Sequence, residues 1–102
     1  MGRVRIQFLM WSGKDLGPEW QSPTDVRANM EADVPEGTTV RQFLDSLAER
    51  YPIIREQVFP EHDLGRYIVA MLNDTGMGKD ELLATALHDG DVLTVLPIVV
   101  GG

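Results

Sequence analysis

The sequence predicts an α+β fold in which a mixed sheet carries one main helix across one face. Three observations predict it: an alternating apolar segment near the N-terminus, one amphipathic helical stripe in the middle, and a β-rich run near the C-terminus. One helix cannot cover both faces of such a sheet, so the elements must stack as two layers. At 102 residues the chain has the length of one domain with one core.

Val4-Arg5-Ile6-Gln7-Phe8-Leu9 alternates apolar and polar residues, the period of a half-buried strand. Val4, Ile6 and Phe8 then face the core, and Leu9 falls on the outer side with Arg5 and Gln7. Residues 11–23 hold Gly13, Gly17, Pro18 and Pro23 without a clean period and read as a loop. It is long for a compact domain, so it is functional or a local elaboration. Its two tryptophans, Trp11 and Trp20, are expected to fold it back onto the domain rather than stack on a ligand. Residues 25–34 read as a second strand with Val26, Ala28 and Met30 on one face, making an enlarged hairpin with the first.

Thr39 and Gln42 fit a capping box at a helix start. Val40, Phe43, Leu44, Leu47, Ala48 and Tyr51 recur at helical spacing, and Pro52 stops the run. Residues 53–65 are mixed, with a helical turn expected near 55–59. Residues 67–72 form a β-rich run ending at the turn cluster Asn73-Asp74-Thr75-Gly76. Leu82-Leu83 reads as a short edge strand. Leu87-His88-Asp89-Gly90-Asp91 is a turn, and residues 92–96 are the last strand. The order of elements is that of a β-grasp, whose first and last strands lie side by side in mid-sheet. Residues 1–96 are thus expected to form the domain and residues 97–102 a tail.

Composition narrows the function. Apolar residues are 43% and charged residues 25% of the chain, which argues against disorder. With no cysteine, disulfides, thiolate metal sites and thiol nucleophiles are excluded. The net charge of −7 disfavours nucleic acid and anionic membranes; it serves solubility alone or also suits docking on a basic protein surface. No long apolar run marks a leader or a membrane span, and the myristoylation pattern is not met. A cytoplasmic location is expected.

Taken in order, several short motifs resemble the MoaD/ThiS family of ubiquitin-like sulfur carriers. They are Val4-x-Ile6-x-Phe8, Pro35-Glu36-Gly37-Thr38-Thr39-Val40, the stretch from Leu44 to Pro52 and Leu72-Asn73. Leu87-x-Asp89-Gly90-Asp91 and the tail Pro97-x-x-x-Gly101-Gly102 complete the set. The long segment 11–23, the residues after Asn73, and Ile98 in place of a second proline depart from the common pattern.

The resemblance implies a carrier, not an enzyme, with no bound cofactor. Gly102 is expected to be adenylated by an E1-like enzyme of the MoeB/ThiF type, which uses ATP, and then converted to a thiocarboxylate. Two side-chain-free residues let a tail enter a narrow channel, and Pro97, Ile98, Val99, Val100 and Gly101 deliver it. By the same resemblance Leu9 and Leu96, extended by Met77, are expected to form a partner-binding apolar patch. The acceptor is expected to be the large subunit of molybdopterin synthase. Thiamine-thiazole or cysteine biosynthesis, and attachment to target lysines as a protein modifier, are the alternatives. An inert β-grasp binding module is a third reading.

Other signals are weak. Glu61-His62-Asp63 and His88-Asp89-x-Asp91 lack the spacing of a metal site. Ser12, Ser46, His62 and His88 offer no oriented base for a nucleophile. Gly76-Met77-Gly78-Lys79 lacks the spacing of a phosphate loop.

Overall fold

The computed structural model describes residues 2–11, 13–24 and 26–98. Its sheet has five strands: β1 (Gly2–Leu9), β2 (Gln21–Thr24), β3 (Arg27–Val34), β4 (Ile68–Leu72) and β5 (Val92–Pro97), in the order β2-β3-β1-β5-β4. β1 and β5 run parallel in the middle, Phe8 beside Val95, and the other pairs are antiparallel. This is the mixed β-grasp sheet that the order of elements predicted.

The main helix α2 (Val40–Arg50) starts where local chemistry places it. Thr39 Oγ1 accepts from Gln42 N–H at 3.2 Å, and Gln42 Oε1 accepts from Thr39 N–H at 3.0 Å. Val40, Phe43, Leu44, Leu47 and Ala48 bury its apolar stripe. They meet Val4, Ile6, Phe8, Leu93 and Val95 from the central strands. α3 (Pro52–Gln57) follows directly, opened by the proline that ends α2, and a short 3-10 turn spans residues 60–62.

Three expectations are corrected. Leu82 and Leu83 lie in a helix, α4 (Lys79–Ala84), and both are fully buried. An adjacent leucine pair suits either geometry, and the preceding Asp80 and Glu81 favour a helix start. Val26 precedes β3 and is exposed instead of sharing the face of Ala28 and Met30. Residues 11–23 are not all loop: α1 (Gly13–Leu16) leads into β2, a fifth strand on the outer edge of β3.

That inserted segment is held by aromatic packing. Trp11 and Trp20 are only 9% and 5% exposed, and their rings lie 5.6 and 5.3 Å from that of Phe8. Trp20 also meets Tyr51 edge-on at 5.5 Å, and Trp11 Nε1 donates to Gln57 Oε1 at 3.1 Å. Tyr51 donates its hydroxyl to Glu19, beside Arg50. The Tyr51 hydrogen bond and Glu19's own backbone, with a lesser aid from Arg50, outweigh burial and hold the Glu19 carboxyl below its ordinary value of 4.5. A depressed carboxylate stabilises the fold above its unfolded pKa and stops doing so as pH falls through the folded value. Acidification below about pH 4.5 is therefore expected to loosen this segment, read as a change in tryptophan fluorescence. Glu19→Gln should remove that step; an unchanged acid titration would show that the contact contributes nothing.

The motif residues shared by Asp89, Gly90, Asp91 and Asn73 are structural. Asp91 accepts from His88 N–H at 2.7 Å and from Asn73 Nδ2 at 2.9 Å. Asn73 Oδ1 accepts from Val92 N–H at 2.8 Å, and Asp89 accepts from Arg3 N–H at 2.9 Å. Gly90 supplies the positive φ of +88° in the turn. This set fastens the start of β1, the end of β4 and the start of β5 to each other.

Candidate functional site

β5, the strand that leads into the expected tail, is an interior strand of the sheet, between β1 and β4. Pro97 still pairs with Ile68, so β5 reaches one residue into the expected tail, and Ile98 N–H donates to Tyr67 O at 2.7 Å. Val99, Val100, Gly101 and Gly102 lie outside the described residues.

The parity of buried residues fixes the outer face. Phe8, Val95 and Ala70 are buried on the helix side, so Leu9, Leu96 and Val69 point the other way. Leu96 pairs with Val69 across β4 and β5, and Leu9 follows Phe8 just as Leu96 follows Val95. The three form one half-buried apolar row across the three strands. The next row is Gln7, Thr94 and Met71. Toward the start of β1 this face turns charged, with Arg3 and Arg5 paired with Glu31 and Asp33 of β3.

Above that row lies a rim of exposed apolar side chains. Among the described residues, four large hydrophobics are strongly exposed: Met10 (60%), Tyr67 (54%), Val26 (53%) and Ile98 (48%). All four sit at the end of the sheet where the tail departs. Met10 N–H donates to Val26 O at 2.6 Å, and Ile98 is bonded to Tyr67. Met10 holds a positive φ of 73°, uncommon for a bulky residue. Arg66 lies 5.8 Å from the Tyr67 ring centroid. Exposed large apolar side chains gathered at one end of a sheet make this end a candidate interaction surface.

Leu9 and Leu96 thus lie in one row. Met77 is elsewhere and does not extend it. It packs against the helix-side core, where Thr85 Oγ1 donates to its sulfur at 3.8 Å. Sequence reasoning missed Met10, Val26, Tyr67 and Val69. Val69 alone had a signal, because alternation with Ala70 and Leu72 sends it outward. The others lie just beyond strand ends, where periodicity says nothing.

The remaining polar clusters are ion pairs. Asp45 is bonded to His62 at 2.7 Å and to Arg55 at 3.0 Å. Partial burial pushes the Asp45 carboxyl up, but those two partners outweigh it and hold it below the ordinary range. Asp63 pairs with Lys79 at 3.3 Å. No group of three metal-ligating side chains occurs among the described residues. Gly78 caps the six-residue α4 without a side-chain bond and builds no phosphate loop.

A sequence model of the ThiS family matches residues 21–102. The chain belongs to the ThiS family. No curated relative matches it in sequence. This ThiS-family protein is similar in fold to small archaeal modifier protein 1 of Haloferax volcanii, with 21% identity and a TM-score of 0.71. That match covers 97% of this chain and 100% of the other. The putative molybdopterin converting factor subunit 1 of Pyrococcus furiosus gives 22% identity and a TM-score of 0.67, again over 97% and 100%. A chain of the BexX/CysO complex of Amycolatopsis orientalis gives 25% identity and a TM-score of 0.63, over 97% and 99%. The fold of this ThiS-family protein is therefore the one shared by ubiquitin-like sulfur carriers and modifiers. No helix among its described residues is long and apolar enough to cross a membrane.

Proposed function

We propose that this protein is a sulfur carrier whose Gly102 carboxylate is adenylated and then converted to a thiocarboxylate, serving molybdopterin synthesis as the small subunit of molybdopterin synthase. The observation that carries this reading is the convergence of the apolar row and rim on the point where the tail leaves β5. A carrier with no chemistry of its own must hand its terminus to other enzymes. A docking surface around the tail's root aims that terminus while leaving it free to enter a channel.

In this reading the carrier binds no cofactor, and ATP is consumed by an E1-like activating enzyme of the MoeB/ThiF type. Leu9, Leu96, Val69 and the rim dock first on that enzyme and then on the sulfur acceptor. The absence of cysteine leaves no internal thiol to intercept the acyl-adenylate. Family membership and the likeness to a molybdopterin converting factor support this reading. The likeness to small archaeal modifier protein 1 supports a second, attachment through Gly102 to lysines of other proteins.

Intact mass decides between them. Protein purified from its native cells without reductant is expected to contain a fraction heavier by the difference between one sulfur and one oxygen, mapping to Gly102. Branched peptides carrying a Gly-Gly remnant on other proteins' lysines would favour the modifier. Only the unmodified mass, even after incubation with an activating enzyme, ATP and a sulfur source, would overturn the carrier reading, and the further absence of branched peptides would overturn both.

A further inference from the structure

Away from the tail, β3 has an edge that β2 covers only in part. In β1, Arg5 N–H donates to Asp91 O, and Arg3 O accepts from Gly90 N–H, so the odd-numbered residues turn their backbone groups toward β5. The even-numbered ones therefore bond to β3, as Met10 does to Val26. By the same alternation, Arg27, Asn29, Glu31 and Asp33 turn theirs to the outer edge. β2 pairs with Arg27 and Asn29. Among the described residues no strand pairs with Glu31 or Asp33 on that side.

This open stretch borders a trough. Two adjoining hollows of about 530 and 460 Å³ share Ala32, Asp33 and Arg50. The first reaches Glu19 and Gln21, where β2 begins; the second runs between the edge and α2, past Phe43, Ser46 and Leu47. Together they continue the line of β2 along the rest of β3.

We propose that this trough binds an extended segment of a partner protein, which adds to β3 as a strand in line with β2. Main-chain bonds to Glu31 and Asp33 supply attachment, and side-chain alternation supplies selectivity. One set of partner side chains faces the α2 bank and fits apolar residues. The other set lies on the outer face beside Glu31 and Asp33. There the cross-strand rows already read Arg5–Glu31 and Arg3–Asp33. On the β1 side Glu31 is paired with both Arg3 and Arg5, and Asp33 with Arg3, yet both carboxylates stay exposed, so basic residues of an added strand fit on their other flank. A second copy of this edge would instead set Glu31 and Asp33 against each other, which opposes self-pairing. The occupant is therefore a strand-forming segment with alternating basic and apolar residues.

The site uses neither the tail nor the apolar rim, so it stands apart from the carrier reading. Its test is a titration of the isotope-labelled full chain with a terminally blocked peptide of repeating Lys-Val, followed by amide NMR. The expected result is slowed hydrogen exchange at the Glu31 and Asp33 N–H groups, with shift changes confined to β3 and the facing side of α2. Asp33→Lys combined with Glu31→Lys should weaken binding about tenfold, and Ser46→Phe should block the trough. Both changes are at exposed positions, and deletion of Gly102 should leave binding unchanged. A matching Glu-Val peptide should bind no better than the double variant. Shift changes without exchange protection, changes centred on Met10, Tyr67 and Ile98, concentration-dependent self-pairing without peptide, or no binding into the millimolar range would each overturn the proposal.

Discussion

Deletion of Gly102 is expected to lower adenylation by an activating enzyme by more than about a hundredfold while leaving thermal stability unchanged. In the proposed reaction a carboxylate oxygen attacks the α-phosphorus of ATP, and pyrophosphate leaves. If the domain docks through its apolar row and rim as proposed, shortening the tail draws the carboxylate back from the nucleotide by up to about 3.5 Å. Misplacement of a reacting atom by about 1 Å can already cost a hundredfold. The last strand is anchored through Pro97 and Ile98, leaving its foundation untouched. Pyrophosphate release measured with the intact and shortened chains tests this. Leu96→Asp provides the complementary arm. It should raise the concentration of carrier needed for half-maximal rate, because it places a charge in the docking row without altering the tail. Equal rates for intact and shortened chains would remove Gly102 from the mechanism.

Phe8→Ala is expected to destabilise the fold by about 3–5 kcal/mol, lowering the melting temperature on the order of 15 °C for a domain of this size. Phe8 is fully buried in the central strand β1. Both tryptophans of the inserted segment pack on its ring. Truncation therefore opens a cavity in the core and removes the surface on which residues 11–20 rest. Phe8→Leu, which retains much of the volume, should cost about 1 kcal/mol. Calorimetry of both variants checks the ratio. A loss below about 1 kcal/mol for the alanine variant would mean that the segment collapses into the space and that the packing described here is not cooperative.

The parts of this fold legible in the sequence are those set by local chemistry over several turns or by clean alternation. The capping box at Thr39 and Gln42, the stripe from Val40 to Tyr51 and the stop at Pro52 are all contained within the helix they define. β1 announced itself through alternation, which also sent Leu9 to the outer face; the non-alternating residues 92–96 read as a strand only from their β-rich run after the Asp89-Gly90-Asp91 turn. Elements built from four to six residues were not legible, because their conformation is decided by what they pack against. α4 is a helix because Leu82 and Leu83 are both buried where it packs between α2 and β4. β2 is a strand because β3 offers it an edge. The candidate docking face was half visible: Leu9 and Leu96 were placed on it and Val69 was missed despite its alternation, whereas Met10, Val26 and Tyr67 follow from chain reversals at the sheet's end. Met77 was misplaced because its position after a turn carries no facing information.

The parallel seam between β1 and β5 couples the order of synthesis to the delivery of the tail. Phe8 and Val95, neighbours in mid-sheet, are separated by most of the chain, so their contact is among the most costly in loop-closure entropy. A ribosome adding about 5–20 residues per second holds β1 without this partner for on the order of ten seconds. During that interval β1 has β3 on one side and an unfilled edge on the other. The strand that finally closes the sheet is the one that carries the tail. Completion of the core and placement of the strand that leads into the tail are thus a single folding event, and in the proposed carrier an unfinished core has no docked β5 from which to offer a terminus.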